Sequence, residues 1–470
     1  MPRRFVYVLL VSVCLARAQD PLDTKLRATI DKAITWIGAQ QAPVRGHEGA
    51  ALFAAPGEQR RQTQIYGGAA GILVFLENAA AVLDHPGARA LADTCAAGLR
   101  ASRKNREGKP VTWMNLDAPG ATSLYIGDAG IGHAFLTRAR LRDDAEALAL
   151  ATEVGDSLIA RATRAGDRLT FDRQVEIIFG AAGTALFLLE LGQTTGEDRF
   201  LAAARAVGRG LIAAAEAKEP AAEGDVRQLA WRWQLAGNAP YVNFSHGTAG
   251  VAYALARIAA ATGDVDCEQA AIAGAASLLA QTIHQGDTAV WPVIVGDERT
   301  MGSWCHGPPG TARLFLLLHS VTGEQRYLDT ALASARWVMA QAPGTGELAA
   351  DAEFPPSFCC GVAGVIDFFC DLYRASGDQA YRDFARRGGD YLLTRAEVDG
   401  AGVKWPRGAS AHRGAANAYP TDLMLGAAGE GLALLRLLTI DQDPDPVRHL
   451  PDRAVRVAKA TNAAKEGDGK

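Results

Sequence analysis

Gly302–Gly310 reads GSWCHGPPG, and further along the chain Ser357–Gly364 reads SFCCGVAG. Each places cysteine, or cysteine and histidine, directly before a Gly-x-x-Gly turn. Together they offer Cys305, His306, Cys359 and Cys360, side chains of the soft or borderline kind that zinc prefers. These two stretches decide the fold, because the same frame recurs along the chain.

The frame is a polar residue, three residues, Gly-x-x-Gly and an apolar helix, and it occurs seven times. Its first glycines are Gly68, Gly127, Gly180, Gly247, Gly307, Gly361 and Gly426, spaced from 53 residues (Gly127 to Gly180) to 67 (Gly180 to Gly247). A recurring period of this size marks a repeat architecture. The helix after each turn is apolar nearly all round, as in TARLFLLLH from Thr311, and such a helix belongs inside. Punctuation such as Thr322-Gly323-Glu324 follows, with glycine suited to end one helix and an acidic residue suited to start the next. The second helix, as in Arg326–Ala340, carries alanine and leucine at three- and four-residue steps with charges between, the pattern of an outer helix. Seven helix pairs, none able to cover its own apolar face, predict an all-α fold: a closed α/α toroid with inner and outer rings, the open alternative being a solenoid. Closure is favoured because the inner helices are too apolar for water, and it gathers the Gly-x-x-Gly turns at one end.

Composition narrows the function classes. The chain has 470 residues, 49% apolar content and a net charge of −4. With no long basic run, neither nucleic acid nor an anionic membrane is an expected partner. Arg3-Arg4, the apolar run Phe5–Leu15 and Ala16-Arg17-Ala18 form a secretory signal peptide over residues 1–18, too short to span a bilayer. The expectation is an exported protein, periplasmic or secreted, with no transmembrane anchor after cleavage. The toroid is assigned to residues 19–445, and residues 446–470, rich in proline and charge, are expected to be a disordered tail. Export permits disulfides among Cys95, Cys267 and Cys370, although buried thiols in helices are the commoner outcome. The loop tryptophans Trp113, Trp231, Trp233, Trp291 and Trp405 precede the turns and either bind something or cover the end of the ring.

The repeats supply an internal control. The two positions before the first glycine read Tyr66-Gly67, Tyr125-Ile126, Ile178-Phe179, Ser245-His246, Cys305-His306, Cys359-Cys360 and Met424-Leu425. Metal-ligand types occur there in units four, five and six and in no other unit, so convergence at one place on the end of the ring is expected. Cys305, Cys359 and Cys360 supply three thiolates for zinc and leave one tetrahedral position open, as a catalytic site needs. His246 or His306 could instead close the site as a fourth ligand, or pair with Cys305 in a cysteine-nucleophile site. Three thiolates give zinc a formal charge of −1, which suits binding a substrate thiol as thiolate better than activating water. His246 is then a candidate general acid or base. Four residues before each first glycine every unit is polar, which reads as capping. Glu176 is the exception singled out, being long and flanked by Val175 and Ile177. Glu176 with Asp422 is the only carboxylate pair that tempts a carbohydrate-active reading, and that reading leaves the cysteines unexplained.

NFSHGTAG, GSWCHGPPG and SFCCGVAG, in this order within the repeats, resemble the motifs of the lanthionine synthetase C-like family. The resemblance implies an α/α toroid with zinc at one end and addition of a cysteine thiol to a dehydroamino acid. It implies Cys305, Cys359 and Cys360 as metal ligands, the last where the family has histidine, and His246 in proton transfer. Glu176 falls on an acidic position of the family and His306 on a tyrosine or histidine position. Met301 stands where the family often has arginine. The sequence therefore predicts an exported zinc enzyme joining a peptide or small thiol, of cysteine or glutathione type, to a dehydroamino acid as a thioether. The alternative is a zinc-containing module on the same toroid that binds thiol or peptide without turnover.

Overall fold

A computed structural model describes residues 20–54, 62–104, 110–220, 226–341, 354–407 and 419–453. Helix α1 (Pro21–Ala39) leads. The pairs α2 (Ala69–Leu83) and α3 (Pro86–Ala101), α4 (Asp128–Arg142) and α5 (Ala145–Arg161), and α6 (Ala181–Thr195) and α7 (Asp198–Ala213) follow. Then come α8 (Thr248–Thr262) and α9 (Val265–Ala280), α10 (Pro308–Thr322) and α11 (Gln325–Gln341), α12 (Val362–Ser376) and α13 (Gln379–Arg395), and finally α14 (Ala427–Leu438). The even-numbered helices form the inner ring, each touching the next, and α14 packs on both α12 and α2. The toroid is therefore closed. The seventh outer helix comes from the other end of the chain, since α1 lies against α14. No helix among the described residues is long and apolar enough to cross a membrane.

Two devices close the ring. The second glycine of each turn accepts a side chain from the neighbouring unit. A Cβ on Gly310 would lie 2.7 Å from the Phe244 Cβ, and one on Gly71 would lie 2.6 Å from the Leu423 Cβ, across the seam between the last unit and the first. These positions are glycine because of close approach. The second device is a backbone belt. Ser245 N–H donates to Cys305 O (3.1 Å), Cys305 N–H to Cys359 O (3.1 Å) and Cys359 N–H to Met424 O (2.8 Å). Met424 N–H donates to Tyr66 O (3.2 Å), and Tyr66 N–H to Tyr125 O (2.9 Å). Equivalent residues of successive units thus bond like neighbouring strands, each satisfying backbone groups of the turn that precedes an inner helix.

The segments after the outer helices form short antiparallel hairpins: β1 (Gln41–Pro43) with β2 (Ala51–Phe53), β3 (Thr163–Ala165) with β4 (Arg168–Thr170), and β5 (Glu216–Lys218) with β6 (Gln228–Ala230). The others are β7 (Ile283–Gln285) with β8 (Thr288–Val290), and β9 (Glu397–Asp399) with β10 (Gly402–Lys404). Four tryptophans tie these segments to an outer helix. The indole N–H of Trp113 donates to Leu99 O, Trp231 to Leu211 O, Trp291 to Leu278 O and Trp405 to Leu392 O, at 2.6, 2.8, 3.1 and 2.8 Å. All four are buried, so they are packing residues and Trp233 alone is left for another role.

The chain after α14 corrects the expectation for residues 446–453. They turn into the end of the ring opposite the belt, and Val447, Leu450 and Asp452 are buried. Arg448 N–H donates to Asn78 Oδ1 (2.6 Å), and Asn78 returns a bond to Arg448 O (2.8 Å). Arg257 donates to Pro451 O (2.8 Å), Tyr253 Oη to Arg453 O, and Tyr125 Oη to Asp452 Oδ2 (2.7 Å). The charges that look disordering in the sequence find buried partners on inner helices. Residues 454–470, and residues 1–18 with the expected signal peptide, lie outside the described residues.

Candidate metal centre

Cys305 and Cys359 occupy the same belt position in units five and six, and Cys360 follows Cys359. The belt bond from Cys305 N–H to Cys359 O fixes the two backbones side by side. One sulfur from each of the three cysteines lies within 4.8 Å of the others, and Cys305 Sγ and Cys360 Sγ stand 3.8 Å apart. Ligands at roughly 2.3 Å from one tetrahedral zinc stand roughly 3.8 Å from each other, so the spacing fits a shared ion. Among the described residues, only these three form such a cluster of possible ligands. Cys305 and Cys359 are buried, whereas Cys360 keeps part of its surface exposed.

The donor set favours a cation. Hydrogen bonds from the Cys359 and Cys360 thiols, aided by the charge of His306, hold Cys305 well below the usual thiol range against the opposing effect of burial. Bonding to Cys305 and burial push Cys359 and Cys360 well above it. One negative charge is therefore shared among the three sulfurs, and a metal ion between them would remove the penalty on ionising the others. Two hydroxyls reach the cluster: Ser303 Oγ lies 3.2 Å from Cys305 Sγ, and Tyr66 Oη donates to Cys359 Sγ at 3.1 Å. Arg407 is near enough to Cys360 for its charge to favour the thiolate. Arg299, two residues before Met301, faces solvent with Asp297 3.8 Å away. By contrast Cys95, Cys267 and Cys370 are free and buried, and burial raises all three thiols, Cys370 to about 12.

The histidines stand beside the cysteines rather than among them. His306 Nδ1 is 3.1 Å from Asn243 Oδ1, and Asn243 in turn donates to His306 O (2.8 Å) and Pro292 O (3.1 Å). The His246 ring is 5.8 Å from the His306 ring and lies flat on Trp233, at 3.7 Å between centroids and 2° between planes. Phe179 and Tyr241 complete this aromatic group. Trp233 gets there because the segment after β6 turns inward, closed by the bridge from Trp233 to Ala239. The Glu176 carboxylate accepts from Ile178 N–H (2.6 Å) and Phe179 N–H (2.8 Å), and its Oε2 lies 3.3 Å from His246 Nδ1. That last approach is an electrostatic contact rather than an aligned hydrogen bond. Asp422 accepts from Met424 and Leu425 N–H in the same manner, so both carboxylates of the tempting glycosidase pair cap their own turns. A 680 Å³ cavity lies at the other end of the ring, between the inner helix ends and residues 440–453, away from the cysteines.

Residues 60–447 match the family model described as lanthionine synthetase C-like protein. The chain belongs to the lanthionine synthetase C-like family. Among solved structures it is similar to nisin cyclase, at 14% identity and a TM-score of 0.58, over 91% of this chain and 97% of that one. It is also similar to cellobiose 2-epimerase from Bacillus thermoamylovorans, at 10% identity and a TM-score of 0.50, over 89% and 98% of the two chains. At such identities both show the toroid alone. No curated protein matches this lanthionine synthetase C-like chain. Within the family frame, the sequence pointed to the cysteines and histidines. It missed Tyr66 and Arg407, and it named Trp233 only as one of five loop tryptophans. Tyr66 was detectable, since it holds the same repeat position as two of the cysteines.

Proposed function

We propose that this protein is an exported zinc-dependent enzyme that adds a cysteine or glutathione-type thiol to a dehydroamino acid in a peptide, forming a thioether. The observation that carries the reading is the cluster of Cys305, Cys359 and Cys360 at the spacing of ligands to one ion. Bound there, zinc would hold a substrate thiol as its thiolate, which is the nucleophile the reaction needs.

In the addition, sulfur bonds to the β-carbon, the double-bond electron pair moves to the α-carbon, and that carbon takes a proton. His246 is assigned as the group that holds this proton. Its Nδ1 faces the Glu176 carboxylate, and this leaves Nε2 as the nitrogen to deliver the proton. Glu176 acts through His246 and orients it. His306, fixed on Asn243, flanks the same space and adds positive charge when protonated. Trp233, Phe179 and Tyr241 keep water from the imidazole. Export rests on residues 1–18 of the sequence.

The test is mass spectrometry of a dehydroalanine peptide incubated with zinc-loaded protein and free thiol. The reading predicts a thioether adduct formed well above the uncatalysed rate and lost in His246→Ala. Zinc retention with thiol binding but no added rate would leave a non-catalytic binding module in its place.

A further inference from the structure

Three thiolates around a dication leave one net negative charge in a site where Cys305 and Cys359 are buried. Such a charge needs donors. The belt N–H groups of Cys305 and Cys359 are already spent on carbonyls of neighbouring units. The hydroxyl of Tyr66 comes from across the seam of the ring, two units on from Cys359, and donates to its sulfur at 3.1 Å. Its backbone is held on both sides, by Tyr125 O and by Met424 N–H. The phenol is thus positioned by the closure of the toroid rather than by its own loop.

We infer that Tyr66 is a positioning residue of the metal centre, whose hydroxyl draws charge from the Cys359 sulfur and so sets how electron-rich the bound metal is. Ser303 does the same for Cys305 from within its own turn. Hydrogen bonds to ionised groups are stronger than neutral ones, and partners one shell out tune a metal as the ligands themselves do. With the donors in place, a fully cysteinyl site keeps enough electrophilic character to take up a further thiol. The inference rests on the metal reading above and extends it to a residue in unit one, which carries no ligand.

The experiment uses the full chain loaded with Co²⁺ in place of zinc and reads the sulfur-to-cobalt charge-transfer band. In Tyr66→Phe the ring stays and only the hydroxyl goes, so the ligand-field bands and the metal stoichiometry stay as in wild type. The charge-transfer band moves to longer wavelength, because a sulfur without its donor gives up an electron more easily. Ser303→Ala moves it the same way, and the double variant moves it further. A Tyr66→Phe spectrum superimposable on wild type overturns the Tyr66 assignment while the metal reading stands. Wild-type protein that takes up no Co²⁺ overturns both.

Discussion

Trp233 lies face to face with His246, and its indole fixes the plane of the ring proposed above to move the proton. Such stacking is worth about 0.5–1.5 kcal/mol beyond burial, too little to govern folding of a large ring. A misplacement of about 1 Å at a reacting group can nonetheless cost on the order of 100-fold in rate. Trp233→Ala is therefore expected to slow thioether formation by at least about 10-fold. Metal content and melting temperature should stay close to wild type. Thermal melts and metal analysis run beside the rate assay check this. The three cysteines were legible because unlike residues stood out against a repeating background. Trp233 was not, since four other tryptophans in comparable segments are packing residues, and only the path of the chain after β6 separates it from them. Glu176 was legible as unusual, yet its carboxylate is largely occupied by the N–H groups of its own turn. What remains for it is the contact with His246.

At the scale of elements, the repeat frame gave the inner helices with their starts, and most of the outer ones. The glycines at their ends behave as expected: Gly323 ends α10 with φ of 75°. In the first two units Asp84 and Asp143 take the left-handed conformation instead, so the glycine punctuation is missing there although the helices end at equivalent places. The second glycine of each turn makes room for the neighbouring unit's side chain, as Gly310 does for Phe244. The hairpins were not anticipated, because three-residue strands carry too little alternation to register as a pattern. The outer partner of α14 could not be read from unit order either, since α1 comes from the far end of the chain.

For the whole molecule, the segment after α14 changes what the central space is. Arg436 bonds Asp367 and Asp371, Arg453 bonds Asp371, and Arg313 bonds Asp367 and the Asp452 carbonyl, all within the ring. His449 sits in this network. Burial, with the charges of Arg453 and Arg436, lowers its pKa from 6.5 to about 4. The unfolded chain therefore takes up a proton near pH 6.5 that the folded chain refuses until about pH 4. The stability from this residue is full above pH 6.5 and falls as pH drops through that window, by about 3 kcal/mol in all. Glu430, kept protonated by burial up to about pH 8, tilts the profile the other way in wild type and variant alike. The difference between wild type and His449→Gln is thus the readout. Denaturant titrations from pH 7 to pH 4 should show wild type losing more stability than the variant. Sequence composition pointed to disorder here because opposite charges distributed over inner helices and tail are invisible as pairs until the ring closes.

X-ray absorption at the zinc edge of the purified full-length protein tests the central claim, that cysteines from two adjacent units share one ion. The expected result is about one zinc per chain with three sulfur neighbours at roughly 2.3 Å, and loss of most of the zinc in Cys359→Ala. A wild-type protein that binds no zinc, or holds it with fewer than three sulfurs, would contradict the account.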